Sequence, residues 1–394
     1  MTQDIPHVDL NAEAILRDAR QQAGLENLGD ESFLVPMGKL LWSLEHEARL
    51  TPLGRLIQRQ RIVDILVNRL RVQDHLERHP EILEERIVEP LFIVGLPRTG
   101  TTMLHRTIAA DSRMFAPAWY EVRNPAPFPG WDYRSKDPRI TEAEEQVAAM
   151  LEGSPELAAI HPMDAEGPDE DIMLLEHSFY STVPESAVNV PSYGRWLEQQ
   201  DQTAAYEYLK LLLQFLQWQK KRVGQRGERW VLKAPHHLHF MDLVFKVFPD
   251  ARVVQTHRDP LQTLPSLASM IHACWVLASD EVDPHEVGRQ WARLFANGMS
   301  HTMRVREQLG DERFLDLWFE DTVRRPLEEI EKVYAFIGMD LTPEAKTAME
   351  RWQEYNRRDA RPPHEYTLEQ FGYSEEGLCE QFADYRERYI LPRQ

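Results

Sequence analysis

Residues 91–102, Leu-Phe-Ile-Val-Gly-Leu-Pro-Arg-Thr-Gly-Thr-Thr, constrain the fold more than any other part of this 394-residue chain. A short apolar run typical of a buried strand leads into a loop bounded by Gly95 and Gly100, and a helical pattern follows. The two glycines have the spacing of a phosphate-binding P-loop, G-x-x-x-x-G-K-[ST]. This order predicts a strand–loop–helix unit whose backbone N–H groups bind an anion at the helix N-terminus.

One position departs from the P-loop pattern, because Thr101 stands where the lysine is expected. In NTPases that lysine contacts the β- and γ-phosphates, so its replacement argues against nucleoside triphosphate chemistry. The loop offers hydroxyl groups from Thr99, Thr101 and Thr102 and one cation from Arg98. The pattern therefore predicts a site for a phosphate-like anion whose transfer does not depend on a lysine in the loop.

The segment Pro97-Arg98-Thr99-Gly100-Thr101-Thr102 resembles the 5′-phosphosulfate loop of sulfotransferases that use 3′-phosphoadenosine 5′-phosphosulfate (PAPS). In that family P-(K/R)-(S/T)-G-(T/S)-(T/S) follows the first strand. The resemblance implies that these six residues bind the donor, and that Arg98 neutralises charge on the transferring group and the bridging oxygen. It further implies PAPS as co-substrate, no metal ion, and an acceptor hydroxyl or, less often, an amine.

A second motif follows the strand predicted at 252–254. Asp259 and Pro260 have the residue types of an N-cap and a first helical position, so a helix is expected to begin there. The guanidinium fork of Arg258 and the hydroxyl of Ser266 suit a phosphate. Sulfotransferases place an arginine and, eight residues later, a serine on the 3′-phosphate, and the resemblance implies this role here. The alternative is an ion pair between Arg258 and Asp259.

Two segments offer a general base. Residues 230–239 resemble the region in which cytosolic eukaryotic members carry their catalytic histidine, which makes His236 and His237 candidates. Glu121 lies 23 residues after Arg98 and resembles the glutamate that takes the acceptor proton in protein-tyrosine and some bacterial members. We favour Glu121 narrowly, because family members with arginine in the loop tend to use glutamate. The alternatives are structural histidines, a zinc site, and a solvent-facing glutamate.

The rest of the chain predicts an α/β protein with a P-loop-type parallel sheet flanked by helices and an N-terminal helical extension. Residues 1–90 are expected to form a helical region packed on the core, and residues 91–394 the sulfotransferase domain. Strands alternate with helical patterns, which is typical of parallel sheets. The further predicted strands are 230–232, 252–254 and 314–317.

Two more segments resemble the family. Residues 314–338 are similar to its (Y/F)-E-D-L … P … F-(L/I)-G region, which implies packing rather than catalysis. Residues 364–372 are similar, more weakly, to a C-terminal element that closes over the nucleotide in bacterial members. An acidic run at 164–171 predicts a solvated turn and a helix N-terminus rich in acids more than a metal site.

Residues 115–135 are rich in proline and aromatic residues and predict an irregular loop near the site. Aromatic side chains in and beyond this loop suit an acceptor pocket for a lipophilic or ring-bearing alcohol, although a role in the core is equally open. They are Phe115, Trp119, Tyr120, Phe128, Trp131, Phe179 and Tyr180.

Composition limits the classes of binding partner and the cellular location that are expected. The net charge of −19 argues against general nucleic-acid binding, which needs a basic surface. The resemblance implies a small-molecule acceptor. Cys274 and Cys379 lie far apart and match no metal spacing, as expected for a reduced, cytoplasmic protein. The sequence shows neither a secretory signal nor an apolar run near the roughly 20 residues of a membrane span.

Two alternative functions remain. One is a P-loop small-molecule kinase with a degenerate loop, and the other is a non-catalytic nucleotide-binding scaffold.

Overall fold

The computed structural model describes residues 8–153, 163–356 and 366–393. These residues contain a five-stranded sheet in which every pair of neighbouring strands is parallel, in the order β2-β3-β1-β4-β5. The strands are β1 (Leu91–Gly95), β2 (Met114–Phe115), β3 (Arg229–Lys233), β4 (Arg252–His257) and β5 (Phe314–Trp318). The α/β class and the parallel sheet predicted from the sequence are confirmed.

Helices surround the sheet and precede it. The helices of the described residues are α1 (Ala12–Ala23), α2 (Leu34–His46), α3 (Pro52–Arg78), α4 (Thr101–Ile108), α5 (Trp119–Arg123), α6 (Pro138–Gly153), α7 (Ile172–Glu176), α8 (Val183–Ala187), α9 (Pro191–Leu197), α10 (Thr203–Arg222), α11 (Met241–Val247), α12 (Pro260–Ala278), α13 (Pro284–Leu309), α14 (Phe319–Arg324), α15 (Pro326–Ile337), α16 (Pro343–Tyr355), α17 (Glu375–Gln381) and α18 (Ala383–Tyr389).

The sheet brings distant segments to one edge. Strand β1 lies between β3 and β4, with Ile93 opposite Lys233 and Gly95 opposite Thr256. Because all neighbours are parallel, the segments that follow β1, β3, β4 and β5 leave the sheet at the same carboxyl edge, which is where ligands bind in open α/β folds. The motifs singled out in the sequence begin at this edge.

The two faces of β3 pack against different helices. Trp230 and Leu232 join the hydrophobic core that contains α10, whereas Val231 packs with Leu104 and Ile108 of α4. This alternation follows from the two-residue period of a strand. Side chains at 230 and 233 therefore lie on opposite faces of the sheet, and Lys233 lies on the face of α4.

The N-terminal helices share a core with later residues. Side chains of α1, α2 and α3 pack with Phe179, Val188, Tyr193 and Leu197. The helix α3 begins at Pro52, and the hydroxyl of its N-cap Thr51 accepts a hydrogen bond from the Gly54 N–H, as the Thr-Pro pair indicates. The helical prediction for this region agrees with the structure, while the domain division at residue 90 stays a prediction.

Two local expectations were partly wrong. The acidic run was expected to be a solvated turn and helix N-terminus; α7 does begin directly after Asp171, but Asp169 and Asp171 are buried, and Asp171 contacts His237. The segment 115–135 was expected to be irregular throughout, but its start pairs with β3 as β2, and α5 follows. Residues 357–365, which include the start of the segment 364–372, lie outside the described residues.

One described helix, α12, is long and apolar enough by length and composition to cross a membrane. We expected no apolar run near that length. Half of its most apolar window is buried within the protein, and core helices commonly satisfy the same criterion. The helix begins at the donor-site motif, with the Asp259 carboxylate accepting from the Leu261 N–H at its N-cap.

Candidate active site

The loop after β1 has a backbone that only certain residues adopt. Gly95 has φ 150° and Gly100 has φ 87°, both in the region that favours glycine. A Cβ on Gly95 would lie 2.3 Å from Thr256 Oγ1, and one on Gly100 would lie 3.2 Å from the ring of Phe319. Arg98 also has a positive φ, 70°. Both glycines of the motif are thus required by close contacts as well as by conformation.

The three threonines of the loop have different surroundings. The Thr99 hydroxyl is buried, donates to the Leu96 carbonyl over 2.6 Å and lies 2.6 Å from Thr256 Oγ1. It therefore fixes the shape of the loop from within. Thr101 begins α4, and the Thr102 hydroxyl accepts a hydrogen bond from Lys233 Nζ over 3.3 Å. The helix N-terminus and the side chain of Thr102 are the parts that suit an anion.

The structure brings the two predicted donor-binding motifs together. Arg98 Nε donates to Ser266 Oγ over 3.1 Å. Arg258 Nη1 donates to the Arg98 carbonyl over 3.0 Å, and Arg258 Nε donates to Gln262 Oε1 over 2.9 Å. Two guanidinium groups and a hydroxyl from distant segments thus gather beside the loop, as a ligand with two separate anionic groups would require.

Two further elements hold this region in place. The Phe319 ring, directly after β5, lies under the Arg258 guanidinium at 4.1 Å from the ring centroid. From α18, Arg386 donates to both carboxylate oxygens of Asp259 over 3.2 and 3.1 Å. The third sequence motif therefore contacts Arg258, and the C-terminal helix holds the N-cap of α12.

The weaker C-terminal similarity is only partly described, because His364 lies outside the described residues. Its described part packs on α13: a Cβ on Gly288 would lie 2.1 Å from the Phe371 carbonyl, and Tyr373 donates to the Gly288 carbonyl. We therefore describe this element as packing against α13.

Glu121 lies away from the loop. Its buried carboxylate accepts from Lys220 Nζ over 2.7 Å and from the Ala118 N–H over 2.8 Å. The Lys220 ammonium lies 6.0 Å from the centroid of Trp230, at the amino end of β3 and on the face opposite α4. The geometry therefore favours a structural role for Glu121 and does not place it near Thr102.

His237 is also held within the core. Its Nε2 lies 2.8 Å from Asp171 Oδ2 and its Nδ1 lies 2.9 Å from the Tyr206 hydroxyl, and the ring is fully buried. Burial alone would raise the pKa of Asp171, but the charge and hydrogen bond of His237 hold it below its ordinary value. Both ring nitrogens have partners, which favours a structural histidine.

His236 differs from its neighbour. Nδ1 lies 3.4 Å from the Thr182 hydroxyl, while Nε2 is buried with no hydrogen-bond partner among the residues that the structure describes. Burial, followed by the nearby His237 and His239, lowers the pKa of His236 well below its ordinary value. The ring is therefore neutral at pH 7.

Sequence reasoning missed an ion pair beside the loop. Lys233, the last residue of β3, pairs with Glu170 as well as donating to Thr102. Its ammonium thus lies between the first turn of α4 and a carboxylate from the acidic run. The position of Lys233 near the loop could have been predicted from the sequence, because the residue that ends the strand next to β1 lies at the same sheet edge. The Glu170 contact could not be foreseen from its position in the chain.

The aromatic side chains divide between core and surface. Phe115, Trp119 and Phe179 are buried in the core. Tyr120 and Trp131 line a cavity of about 250 Å³ together with Glu121 and polar residues of α6 and α10. This cavity adjoins the amino end of β3, so it is not part of the loop edge.

Within residues 8–153, 163–356 and 366–393, no group of three or more His, Cys, Asp or Glu side chains is arranged to hold a metal ion. The three neighbouring histidines of the sequence contact protein groups and one another.

A parallel P-loop-type sheet with Thr101 at the lysine position, Arg98 within the loop and Arg258 beside it is an arrangement that suits group transfer from a phosphorylated ligand. Residues 90–343 match the sulfotransferase family, and the chain belongs to this family.

Individual relatives agree with this assignment. The chain is 26% identical over 261 residues to omega-hydroxy-beta-dihydromenaquinone-9 sulfotransferase Stf3 of Mycobacterium bovis and to the protein of that name in Mycobacterium tuberculosis. The match covers 64% of this chain and 63% of the length of each relative.

Solved structures extend the similarity over nearly the whole chain. Sulfotransferase STF9 from Mycobacterium avium is 27% identical with a TM-score of 0.88, covering 98% of both chains. Sulfotransferase STF1 from Mycobacterium tuberculosis is 28% identical with a TM-score of 0.83, covering 95% of this chain and 98% of its own.

Proposed function

We propose that this protein transfers a sulfuryl group from PAPS to the hydroxyl group of a small-molecule acceptor. The observation that carries the proposal is the convergence of Arg98, Ser266 and Arg258 at one edge of the sheet. PAPS carries a 5′-phosphosulfate and a separate 3′-phosphate, and these residues form two adjacent groups of donors. Family membership supports the same reaction.

Each group of donors has a proposed role. The N–H groups from Gly100 to Thr102 and the Thr102 hydroxyl bind the phosphosulfate at the positive end of α4. Arg258 and Ser266 bind the 3′-phosphate, as the sequence motif implies. Arg98 stabilises negative charge as it develops on the bridging oxygen, which accelerates transfer more than it strengthens binding. The protein needs no metal ion for these steps.

The acceptor is proposed to be a lipophilic alcohol. The relatives of known name act on a hydroxylated menaquinone, according to that name. Glu121 and His237 are the bases expected from the sequence, but both are buried against internal partners. We propose a cytoplasmic location, in keeping with the separate free thiols of Cys274 and Cys379.

The experiment is transfer of ³⁵S-labelled sulfate from PAPS, without added metal, to three acceptors assayed separately: farnesol, 2-naphthol and sorbitol. We expect a labelled sulfate ester with farnesol or 2-naphthol and formation of adenosine 3′,5′-bisphosphate in equal amount. Failure to consume PAPS with every acceptor would contradict the proposed activity. Transfer to sorbitol in preference to both others would contradict only the proposed acceptor class.

A further inference from the structure

We propose that Glu170 is the general base that takes the acceptor proton, an inference that rests on the proposed sulfuryl transfer. Its carboxylate is paired with Lys233, whose ammonium also donates to Thr102 in the first turn of the loop helix. The chain of contacts from Thr102 through Lys233 to Glu170 places a carboxylate next to the position that the phosphosulfate would occupy.

Accessibility separates Glu170 from the other candidates, Glu121, His237 and His236. Its side chain is 23% exposed, against 2% for Glu121 and 0% for His237, and His236 is also buried. A general base must come within hydrogen-bond reach of the acceptor hydroxyl. Of these four groups, only Glu170 combines that access with a contact chain to the loop helix.

The segment that carries Glu170 is fixed on both sides. Pro168, two residues before Glu170, accepts a hydrogen bond from Arg106 of α4 over 3.0 Å and pairs with Ala118 as an antiparallel bridge. The Glu170 N–H donates to Asp169 Oδ1 over 2.8 Å. On the other side, Asp171 is bound to His237. These contacts give His237 and Asp171 a positioning role and hold the carboxylate at a fixed place.

The proton balance of the step is complete without another reactant. The Glu170 carboxylate takes the proton of the acceptor hydroxyl as the acceptor oxygen forms a bond to sulfur. The bond from sulfur to the bridging oxygen breaks, and its electron pair stays on the 5′-phosphate of the leaving adenosine 3′,5′-bisphosphate. Glu170 then releases its proton to solvent.

The pairing with Lys233 couples the base to donor binding. Before donor binds, the ammonium contacts the carboxylate. A bound phosphosulfate brings anionic oxygens to Thr102, where they compete for the same ammonium. As the ammonium turns toward the donor, the carboxylate oxygen that it contacted becomes available to accept a hydrogen bond from the acceptor hydroxyl.

The test compares Glu170→Gln with the control Glu166→Gln, which removes an exposed acid from the same segment. Single-turnover transfer is measured with saturating PAPS and the acceptor that the wild type uses, and bisphosphate affinity is measured by calorimetry. We expect Glu170→Gln to lose about 10²–10⁴ in rate, with bisphosphate affinity unchanged or higher. Glu166→Gln should match the wild type, and the acidic limb of the pH–rate profile should vanish in Glu170→Gln only.

Other outcomes are distinguishable. A Glu170→Gln rate within about threefold of wild type, or a loss confined to bisphosphate affinity, overturns the base assignment while the proposed function stands. A wild type that binds bisphosphate but transfers no sulfuryl group overturns the proposed function and this inference with it. Unfolding of Glu170→Gln is checked by its melting temperature, and Glu170→Asp then serves as the second variant, expected to keep the acidic limb at a reduced rate.

Discussion

Arg98 Nε lies 3.1 Å from Ser266 Oγ, although 168 residues separate them in the sequence. Arg258 donates to the carbonyl of the same Arg98, so the loop and the start of α12 are joined by two hydrogen bonds. In a bound donor the phosphosulfate would lie on one side of these contacts and the 3′-phosphate on the other. The two proposed anion sites are therefore held in a fixed relation by these hydrogen bonds.

The first prediction concerns the 3′-phosphate. Arg258→Ala should weaken the binding of adenosine 3′,5′-bisphosphate by about 1.5–3 kcal/mol, the usual value for a hydrogen bond to a charged group. The binding of adenosine 5′-monophosphate, which lacks the 3′-phosphate, should be weakened much less. Calorimetric titration of both nucleotides measures the difference. Equal losses would mean that Arg258 acts only through its contacts with Arg98 and Gln262.

The second prediction concerns turnover. Arg98→Ala should lower kcat by about 10²–10³, because its charge matters most where negative charge develops in the transition state. The matched control is Arg98→Lys, which keeps the charge and should retain much of the rate. Steady-state assays at saturating PAPS distinguish this from lost affinity. An unchanged kcat in Arg98→Ala would remove the residue from the transfer step.

The third prediction tests whether the role of Glu121 is structural rather than catalytic. Glu121→Gln leaves the buried ammonium of Lys220 without its carboxylate, and breaking a buried pair costs about 3–5 kcal/mol of unfolding free energy. Urea denaturation measures this cost, and the double variant Glu121→Gln with Lys220→Met should recover much of it. A stable Glu121→Gln protein that has lost its transfer rate would restore Glu121 as the base.

The fourth prediction concerns pH. Burial, and then the charge of Glu198, raise the pKa of Glu185 to about 8 from an ordinary value of 4.5. Between these values the folded chain keeps the proton that the unfolded chain releases, so stability falls as pH rises through this window. Glu185→Gln should remove the slope and melt at a higher temperature than wild type at pH 8, with a smaller difference at pH 5. If the melting temperatures of wild type and Glu185→Gln changed with pH in parallel, Glu185 would not be the source of the pH dependence.

The sequence predicted the turns at the carboxyl edge of the sheet well, because the motifs that form them are local. The spacing from Gly95 to Gly100 and the Asp259-Pro260 pair each specify a turn by their own residue types, and the structure has both turns. That the segments after parallel strands meet at one edge follows from topology alone. The proximity of Arg98 and Ser266 could therefore have been predicted from the sequence.

The surroundings of the acid–base candidates could not be predicted in the same way. Nothing local distinguishes Glu121, which pairs with a lysine 99 residues later, from Glu170, which pairs with one 63 residues later. Whether a carboxylate lies on one face of β3 or the other depends on the path of loops around the sheet. The burial of Asp171 likewise depends on its partner His237, which only the folded chain supplies.

The most direct test of the central claim is a melting-temperature measurement with adenosine 3′,5′-bisphosphate in EDTA, set beside ATP with excess Mg²⁺. A ligand that binds the folded state raises the melting temperature in proportion to its affinity and concentration. We expect the bisphosphate to stabilise the wild-type protein without metal, and to stabilise Arg258→Ala much less. Stabilisation by ATP with Mg²⁺ alone would contradict the account and favour a kinase.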